Sequence, residues 1–356
     1  MRNKPHGGNL GRLIANTLAG SWRSSPPSLE ISVKELDAVT PSLLETGAGA
    51  LGWRRVCDSE LSSSESALQL GQAYRMHALR AAIHERDIGE IFGLMRSHGI
   101  EPVLVKGWAI AQLYIHAGLR PYGDIDLCVR PDKYEAASAL LESEEGKRYG
   151  VDLHRGFEKF DKSAWDEMWS RSRLLEMNSS QVRVLCNEDH LRLLCSHFLR
   201  EGAWRPIWLC DIAVAIESIA ADFDWDLCLR QDQRRREWIA CTIALAQKLL
   251  RANVDKVPAE ARAMRLPRWL TPSVLKAWEA RAMQERHKAP VSSARHHPIY
   301  ALKKLRHHWP NPIEGTVGMN GSFNEWPRLP FQLGNCLMRT ADLLLRNRKT
   351  RRHLLT

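Results

Sequence analysis

One short stretch of this chain concentrates carboxylates in a pattern that suits metal chemistry. Asp124 and Asp126 stand two residues apart in Gly-Asp-Ile-Asp-Leu, at the start of a predicted strand. Side chains alternate along a strand, so both carboxylates share one face, roughly 6.6 Å apart along it. Asp152, in Val-Asp-Leu-His, is the candidate for a third carboxylate from a neighbouring strand. The set predicts a site for one or two magnesium ions, which prefer carboxylates together with phosphate oxygens and water.

A turn upstream of the carboxylates has the features of a phosphate seat. Lys106 and Gly107 interrupt a short apolar run and precede a segment of helical composition. Backbone N–H groups at a helix start point toward a ligand, and glycine permits its close approach. Lys106 adds a point charge for a phosphate. Arg120 lies just before the acid pair, where it would neutralise a triphosphate or organise the acidic cluster.

The elements predicted around these residues form a unit of strand, turn, helix, loop and strand over 101–130, with its helix at 108–116. An amphipathic pattern over 67–98 predicts one long helix that leads into this unit, and Gly99 is suited to end that helix. A helix over 131–144 and a strand over 149–154 are predicted to follow. Asp152 therefore falls on a strand of its own.

Beyond this unit the pattern is mainly helical. A helix is predicted over 163–175 and a strand over 182–185, and Asn187 is predicted to cap the next helix. The predicted fold class is α/β: a small mixed sheet that carries the aspartate pair, helices around it, and a mostly helical C-terminal domain. The predicted divisions are a poorly structured lead-in, N-terminal helices, the sheet-bearing core, the helical domain and a basic C-terminal segment with a final helix, at 1–28, 29–98, 99–186, 187–285 and 286–356.

The composition is that of a globular protein large enough to bury a full core. The chain has 356 residues, of which 44% are hydrophobic and 26% charged. No run approaches eighteen apolar residues, so no transmembrane helix is predicted. The N-terminus has a basic start but only an interrupted apolar segment, which favours a cytoplasmic protein. The eight cysteines form no C-x-x-C pair, which argues against a zinc ribbon or a dithiol redox site.

The net charge of +10 belongs to the C-terminal fifth of the chain. Residues 286–356 contain thirteen Lys and Arg and three acidic residues, which gives +10. The first 285 residues are therefore neutral overall. Three interpretations of this basic segment are open: a solvated tail packed by its helix, a nucleic-acid contact, or a surface for an acidic substrate or partner.

The motifs around the aspartates resemble those of a known family. Lys-Gly at a strand-to-helix turn, followed by Leu-Arg-Pro-x-Gly-Asp-Ile-Asp-Leu, resembles the bacterial nucleotidyltransferase-like proteins of the DNA polymerase beta superfamily. The branch it resembles has the signature LKG…GLRP.GDIDLLV…VDLHW, and the last motif here reads VDLHR. A later stretch over 187–197, followed by Trp-Leu-Cys-Asp, is similar to the helical segment of that family. The resemblance covers roughly residues 30 to 255.

The resemblance implies a fold and an activity. It implies Mg²⁺-dependent transfer of a nucleotide from an NTP, in first place ATP, to a hydroxyl or phosphate of an acceptor. A small molecule, a peptide or a glycan is implied as that acceptor. The residues it assigns to two Mg²⁺ ions are Asp124, Asp126 and Asp152, which are also the catalytic residues. The residues predicted to hold the triphosphate are those of the turn and loop described above, Lys106, Gly107 and Arg120.

Two departures from the family pattern leave alternatives open. Lys106-Gly107 stands where the superfamily has Gly-Ser, and only 25 residues separate Asp126 from Asp152. The short link suggests a less well placed third carboxylate. One alternative is a toxin-like transferase acting on tRNA through the basic segment, and the other is a degenerate, non-catalytic binding module. His197 and Asp211 are also candidates to pair between packed helices.

Overall fold

The structure is a computed structural model that describes residues 9–157, 165–177, 180–230, 232–279 and 309–353, with side chains described to residue 341. Residues 286–308 and 354–356 of the predicted basic segment lie outside these ranges. None of the described helices is both long enough and apolar enough to cross a membrane.

A mixed five-stranded sheet forms the centre of the site-bearing part. Its strands are β1 (Val103–Leu104), β2 (Ile125–Val129), β3 (Val151–Arg155), β4 (Arg173–Met177) and β5 (Ser180–Val184). The order across the sheet is β3-β2-β1-β5-β4. β1 pairs antiparallel with β2 and parallel with β5, β2 pairs parallel with β3, and β4 pairs antiparallel with β5. The predicted α/β class with a small mixed sheet is confirmed.

The rest of the described chain is mainly helical. The part of the chain that the structure describes contains α1 (Asn9–Leu18), α2 (Val33–Glu45), α3 (Gly49–Val56), α4 (Glu65–Ser97), α5 (Gly107–Ala111), α6 (Tyr134–Glu142), α7 (Trp165–Arg171), α8 (Asn187–Arg200), α9 (Pro206–Glu217), α10 (Trp225–Leu229), α11 (Gln233–Leu250), α12 (Ala259–Arg262), α13 (Leu270–Glu279), α14 (Pro312–Gly318) and α15 (Leu329–His353). The helices from α8 to α13 follow the sheet in sequence, as the pattern predicts.

The long helix α4 covers one face of the sheet. The Ser64 hydroxyl accepts a hydrogen bond from the Ala67 N–H at its start, and Gly99, with φ +69°, ends it in the left-handed conformation that glycine adopts freely. Its buried side chains pack with alternate residues of the strands in one core cluster, which includes Ile88, Ile91, Phe92, Met95, Leu104, Ile125, Leu127 and Val184. This leaves the opposite face of β2, which carries Asp126, for the site.

The helices before and after the sheet share one hydrophobic core. Ile14 and Leu18 of α1 are fully buried in the same cluster as side chains of α2, α8, α9, α11 and α13. Residues 9–18 therefore form a packed helix inside the segment that was predicted as a poorly structured lead-in. The proposed division into domains stays a prediction.

Two predicted elements differ from the structure. The helix predicted over 163–175 ends at Arg171, and residues 173–177 form β4 instead, because antiparallel pairing with β5 outweighs the local helical pattern. Residues 163 and 164 lie outside the described residues. The helix predicted over 108–116 ends at Ala111. The chain then lies so close to α4 that a Cβ on Gly118 would stand 2.9 Å from the Ala78 Cβ.

Candidate active site

Pairing of two neighbouring strands brings the predicted metal residues together. β2 and β3 run parallel, and the Cα of Asp126 lies opposite that of Asp152. Cys128 of β2 lies opposite His154 of β3. Asp126, Asp152 and His154 share one side of the sheet, since every second side chain of a strand does so. The short link between the aspartates holds α6 and still brings Asp152 level with Asp126.

His154 lies between the two carboxylates. Its Nε2 is 3.1 Å from Asp126 Oδ1 and 3.3 Å from Asp152 Oδ2. The side chains of His154 and Asp126 are buried, whereas that of Asp152 is 46% exposed. The cluster therefore has a buried inner half and an outer carboxylate that solvent and a substrate can reach.

The donor atoms of this cluster suit a divalent cation. A carboxylate oxygen from Asp126, one from Asp152 and a ring nitrogen of His154 all lie within 4.8 Å of one another. Carboxylate oxygens are the ligands that Mg²⁺ and Mn²⁺ prefer, and imidazole is a frequent transition-metal ligand. Asp124 precedes β2, is exposed, and lies outside this close group. The structure thus joins two of the three predicted metal aspartates with His154.

Lys106 forms the other contact of Asp126. Its Nζ lies 2.6 Å from Asp126 Oδ1, and its backbone has φ 56° and ψ −142° at the end of β1. A non-glycine residue in this region is strained, and such strain collects at functional sites. Gly107 follows with φ +34°. The strained turn reverses the chain and places the ammonium group on the buried carboxylate.

The neighbours of Asp126 keep it ionised. Burial opposes the charged form, but the hydrogen bond with His154 and the charge of Lys106 outweigh it and lower the pKa of Asp126 below its usual value. At neutral pH this carboxylate is therefore an anion, with the Lys106 side chain beside it. A divalent cation, with twice the charge of an ammonium group, is attracted more strongly to this carboxylate.

Arg120 is held by a buried acid. Its guanidinium donates to Asp211, with Nη2 2.8 Å from Oδ2 and Nε 3.2 Å from Oδ1, and Asp211 has no exposed surface. The Tyr114 hydroxyl donates to the same carboxylate at 2.9 Å. Arg120 Nη1 donates to the Pro121 carbonyl at 2.7 Å. This network ties the loop before β2 to α9.

The partners of Asp211 correct one prediction. Asp211 accepts hydrogen bonds from Arg120 and Tyr114, so it does not form the suggested pair with His197. The His197 ring instead lies against Trp208, with ring centroids 4.5 Å apart. The packing of α8 on α9 therefore uses an aromatic contact at this position.

A cleft of about 620 Å³ opens beside the cluster. Of the predicted residues, its walls include Lys106, Gly107, Arg120, Asp124 and Asp126. The remaining walls come from α2, α4, α8, α9 and the loops before α3, β2 and α9, so residues far apart in sequence meet there. The volume lies within the range of pockets that bind drug-sized ligands. The predicted metal and phosphate residues, with Asp152 just beyond the wall, thus border one cavity.

One charged residue of the cleft wall, Arg205, is not among the residues predicted from the sequence. Arg205, just before α9, lines the cleft with its guanidinium 5.3 Å from the Trp208 ring centroid and 5.5 Å from that of Trp204. Its Nε donates to the Thr46 carbonyl at 3.0 Å. The only signal in the sequence is an arginine between two tryptophans, which is too common to predict a site.

Buried histidines predict a stability that depends on pH. Burial lowers the pKa of His190 to about 4, and burial together with the Lys106 charge lowers that of His197 to about 3. Both rings are neutral in the folded chain at pH 5, whereas the unfolded chain protonates them near pH 6.5. Unfolding therefore takes up protons, and stability is lost as pH falls from about 6.5 toward 4.

The expected loss from His190 alone is on the order of 3 kcal/mol once the pH falls below its folded pKa. Chemical denaturation at a series of pH values between 7 and about 4 measures it. His190→Gln should flatten the curve, and His98→Gln, at an exposed position, serves as the control. An unchanged slope in His190→Gln would contradict the assignment.

The part of the chain that contains this site is similar to known proteins. Residues 45–251, more than half of the chain, match a family described as uncharacterised nucleotidyltransferases. No curated protein matches the sequence significantly. A crystal structure of an antigenic nucleotidyltransferase-like protein from Paracoccidioides brasiliensis is 16% identical, with 52% of this chain and 94% of that chain covered and a TM-score of 0.33. At that TM-score the likeness carries no argument. The family match confirms the resemblance predicted from the motifs.

Proposed function

The chain belongs to the family of uncharacterised nucleotidyltransferases, and from this premise we propose that it is an Mg²⁺-dependent enzyme. It moves a nucleotide from an NTP, in first place ATP, to a hydroxyl or phosphate of a small-molecule, peptide or glycan acceptor. The observation that supports the proposal most is the register of Asp126 with Asp152 beside a cleft that also contains Lys106.

The cluster divides the work of transfer between its residues. Asp126 and Asp152 would hold the metal, His154 fixes the distance between their carboxylates, and Asp124 at the cleft wall would hold a second ion. Bound Mg²⁺ supplies Lewis acidity that stabilises charge on the reacting phosphate. The acceptor oxygen attacks the α-phosphorus, pyrophosphate leaves, and the acceptor proton passes to the half-exposed Asp152.

Lys106 has two alternative partners in this proposal. Without metal its ammonium group neutralises Asp126. A divalent cation held by Asp126 would compete with Lys106 for this carboxylate, and the Lys106 charge would then be available to a phosphate at the cleft it lines. The Lys106 ammonium group would thus balance a carboxylate in the metal-free protein and a phosphate in the complex with metal and nucleotide.

Lys106→Met is therefore expected to raise the affinity of the nucleotide-free protein for Mn²⁺ by roughly tenfold, because it removes a competing cation at the carboxylate. Isothermal titration with Mn²⁺ measures the change. Lys133→Met, at an exposed position after β2, is the control. Unchanged or weaker Mn²⁺ binding in Lys106→Met would contradict the competition.

The test of the proposed activity uses a cell extract as the source of the acceptor, so the acceptor need not be known beforehand. The purified protein is incubated with each α-³²P-labelled NTP, Mg²⁺ and a cell extract, and the labelled product is identified. One NTP should label one class of product, and a chelator should abolish the labelling. The proposal fails if no NTP yields a labelled product that depends on both the protein and the metal.

The alternatives differ in what that experiment labels. A label on tRNA would favour the toxin-like transferase, and its transfer should weaken steeply with salt. Residues 280–308 lie outside the described residues, so the nucleic-acid contact of the basic segment stays a prediction. Mg²⁺ and NTP binding without any turnover would favour a non-catalytic binding module.

A further inference from the structure

Two arginines that line the cleft, Arg120 and Arg205, are buried or half-buried. They differ in whether a carboxylate contacts the guanidinium group. Arg120 is neutralised by Asp211 at 2.8 Å. Arg205 has no carboxylate within 4.0 Å among the described residues, although it borders the same cleft. Asp211 and Asp124 favour its charge only from beyond contact distance, so its burial is incompletely compensated, and binding an anion would reduce that cost.

The surroundings of Arg205 hold its guanidinium at the cleft. Nε donates to the Thr46 carbonyl, and Trp204 and Trp208 contact the group as cation–π partners. Gly47 leaves the space for it, since an added Cβ there would stand 2.7 Å from Arg205 Nη2. Gly47 also has φ +80°, which favours glycine. The group is therefore pre-oriented before any ligand binds.

Resting on the proposed function, we propose that Arg205 binds the terminal phosphates of the NTP, at the wall of the cleft formed by α9 and the α2–α3 turn. Its two terminal nitrogens offer donors to phosphate oxygens in a fixed plane. Arg120, which the sequence suggested for this task, acts as a positioning residue: its pair with Asp211 holds α9, whose first turn follows Arg205.

The electrostatics of the cleft support this assignment. Burial, and then repulsion by Arg120, lower the pKa of Arg205 to about 10. Lys106 and Arg205 both act on His197, whose ring lies between α8 and α9 in the cleft wall. Lys106 and Arg205 both line the cleft, so a polyanion bound there would meet Lys106 beside Asp126 and Arg205 at the start of α9.

Binding of inorganic tripolyphosphate separates this role from catalysis. Isothermal titration in excess Mg²⁺ compares tripolyphosphate, ATP and adenosine on the wild-type chain and on Arg205→Gln. Arg205→Gln should weaken tripolyphosphate and ATP binding by roughly 10- to 100-fold, as for loss of hydrogen bonds to a charged group, and leave adenosine binding unchanged. Arg205→Lys should fall between the two, because it keeps the charge but loses the planar donors.

Arg55 provides a matched control. It is half-buried, donates to the Ala19 carbonyl at 2.7 Å, and burial lowers its pKa to about 10, but it does not line the cleft. Arg55→Gln should therefore reproduce any loss of thermal stability in Arg205→Gln while keeping wild-type affinity for tripolyphosphate. Equal losses of affinity in the two variants would overturn the assignment.

The remaining outcomes distinguish this inference from the proposed function. If the wild-type chain binds ATP and tripolyphosphate, and Arg205→Gln binds them equally well, Arg205 is not the phosphate ligand and the proposed function stands. If the wild-type chain binds neither, the proposed function fails and this inference fails with it.

Discussion

Asp126→Asn is expected to lower the rate of nucleotidyl transfer by at least about 1000-fold, because a metal ligand contributes several kcal/mol to stabilising the transition state. Asp126 is the inner carboxylate of the cluster, in register with Asp152 and within hydrogen-bond reach of His154. An amide keeps the shape of the side chain but removes the negative charge that holds the cation. Initial rates with the NTP identified by labelling measure the effect.

The control for this variant is Asp132→Asn, an exposed aspartate after β2 that pairs with Arg130 outside the cleft. It should keep the wild-type rate. Circular dichroism and thermal unfolding of Asp126→Asn show whether the chain still folds, since Lys106 loses its counter-ion. A folded Asp126→Asn protein with undiminished, metal-dependent transfer would show that the cluster is not the catalytic centre.

Asp211→Ala is expected to lower the free energy of unfolding by about 3–5 kcal/mol. The substitution leaves the Arg120 guanidinium buried without its carboxylate and deprives the Tyr114 hydroxyl of its acceptor. An uncompensated buried charge is the reason for the large cost. Urea unfolding at neutral pH, followed by circular dichroism and fluorescence, measures it.

A double variant separates the charge from the packing. Arg120→Met combined with Asp211→Leu removes both charges, so it should recover a large part of the stability that Asp211→Ala loses. Glu144→Ala, which breaks an exposed pair with Lys147, should change the free energy by less than about 1 kcal/mol. If Asp211→Ala were no more costly than Glu144→Ala, the buried pair would not hold the cleft together.

Asp126→Asn and Asp211→Ala change different parts of the same site. The Asp126 cluster lies on the sheet, and the Arg120–Asp211 pair joins the loop before that sheet to α9. The pair therefore adds a polar tie between the loop before β2 and α9, beside the apolar packing that holds α9 in the core. Loss of Asp211 should accordingly weaken NTP binding as well as the fold.

Much of the secondary structure can be predicted from local sequence patterns. The amphipathic period of α4, with Gly99 after it, predicts a helix that the structure places at Glu65–Ser97. The short apolar run at β1, the alternation of Asp-Ile-Asp-Leu-Cys-Val at β2 and the segment 182–185 predict strands, and the structure has a strand at each place. The pattern failed at residues 173–177, where helical composition yields to pairing with β5, because strand pairing depends on a partner that the local sequence does not contain.

The sequence by itself determined the chemistry available to this protein. Asp124, Asp126, Asp152, Lys106 and Gly107 are of residue types that metal and phosphate sites use, and their motifs indicate the family without knowledge of any contact. Alternation along a strand also predicts that two carboxylates share a face. These inferences depend only on residue type and on spacing within one element.

Only the tertiary structure decided which of these groups act together. The parallel register of β2 with β3 sets Asp152 beside Asp126 and inserts His154 between them. Packing of α9 on the loop before β2 commits Arg120 to Asp211 and brings Arg205 to the cleft. Charge pairing depends on distances of a few ångströms between residues up to about a hundred positions apart. No local pattern encodes such distances, so the partner of each charge had to come from the fold.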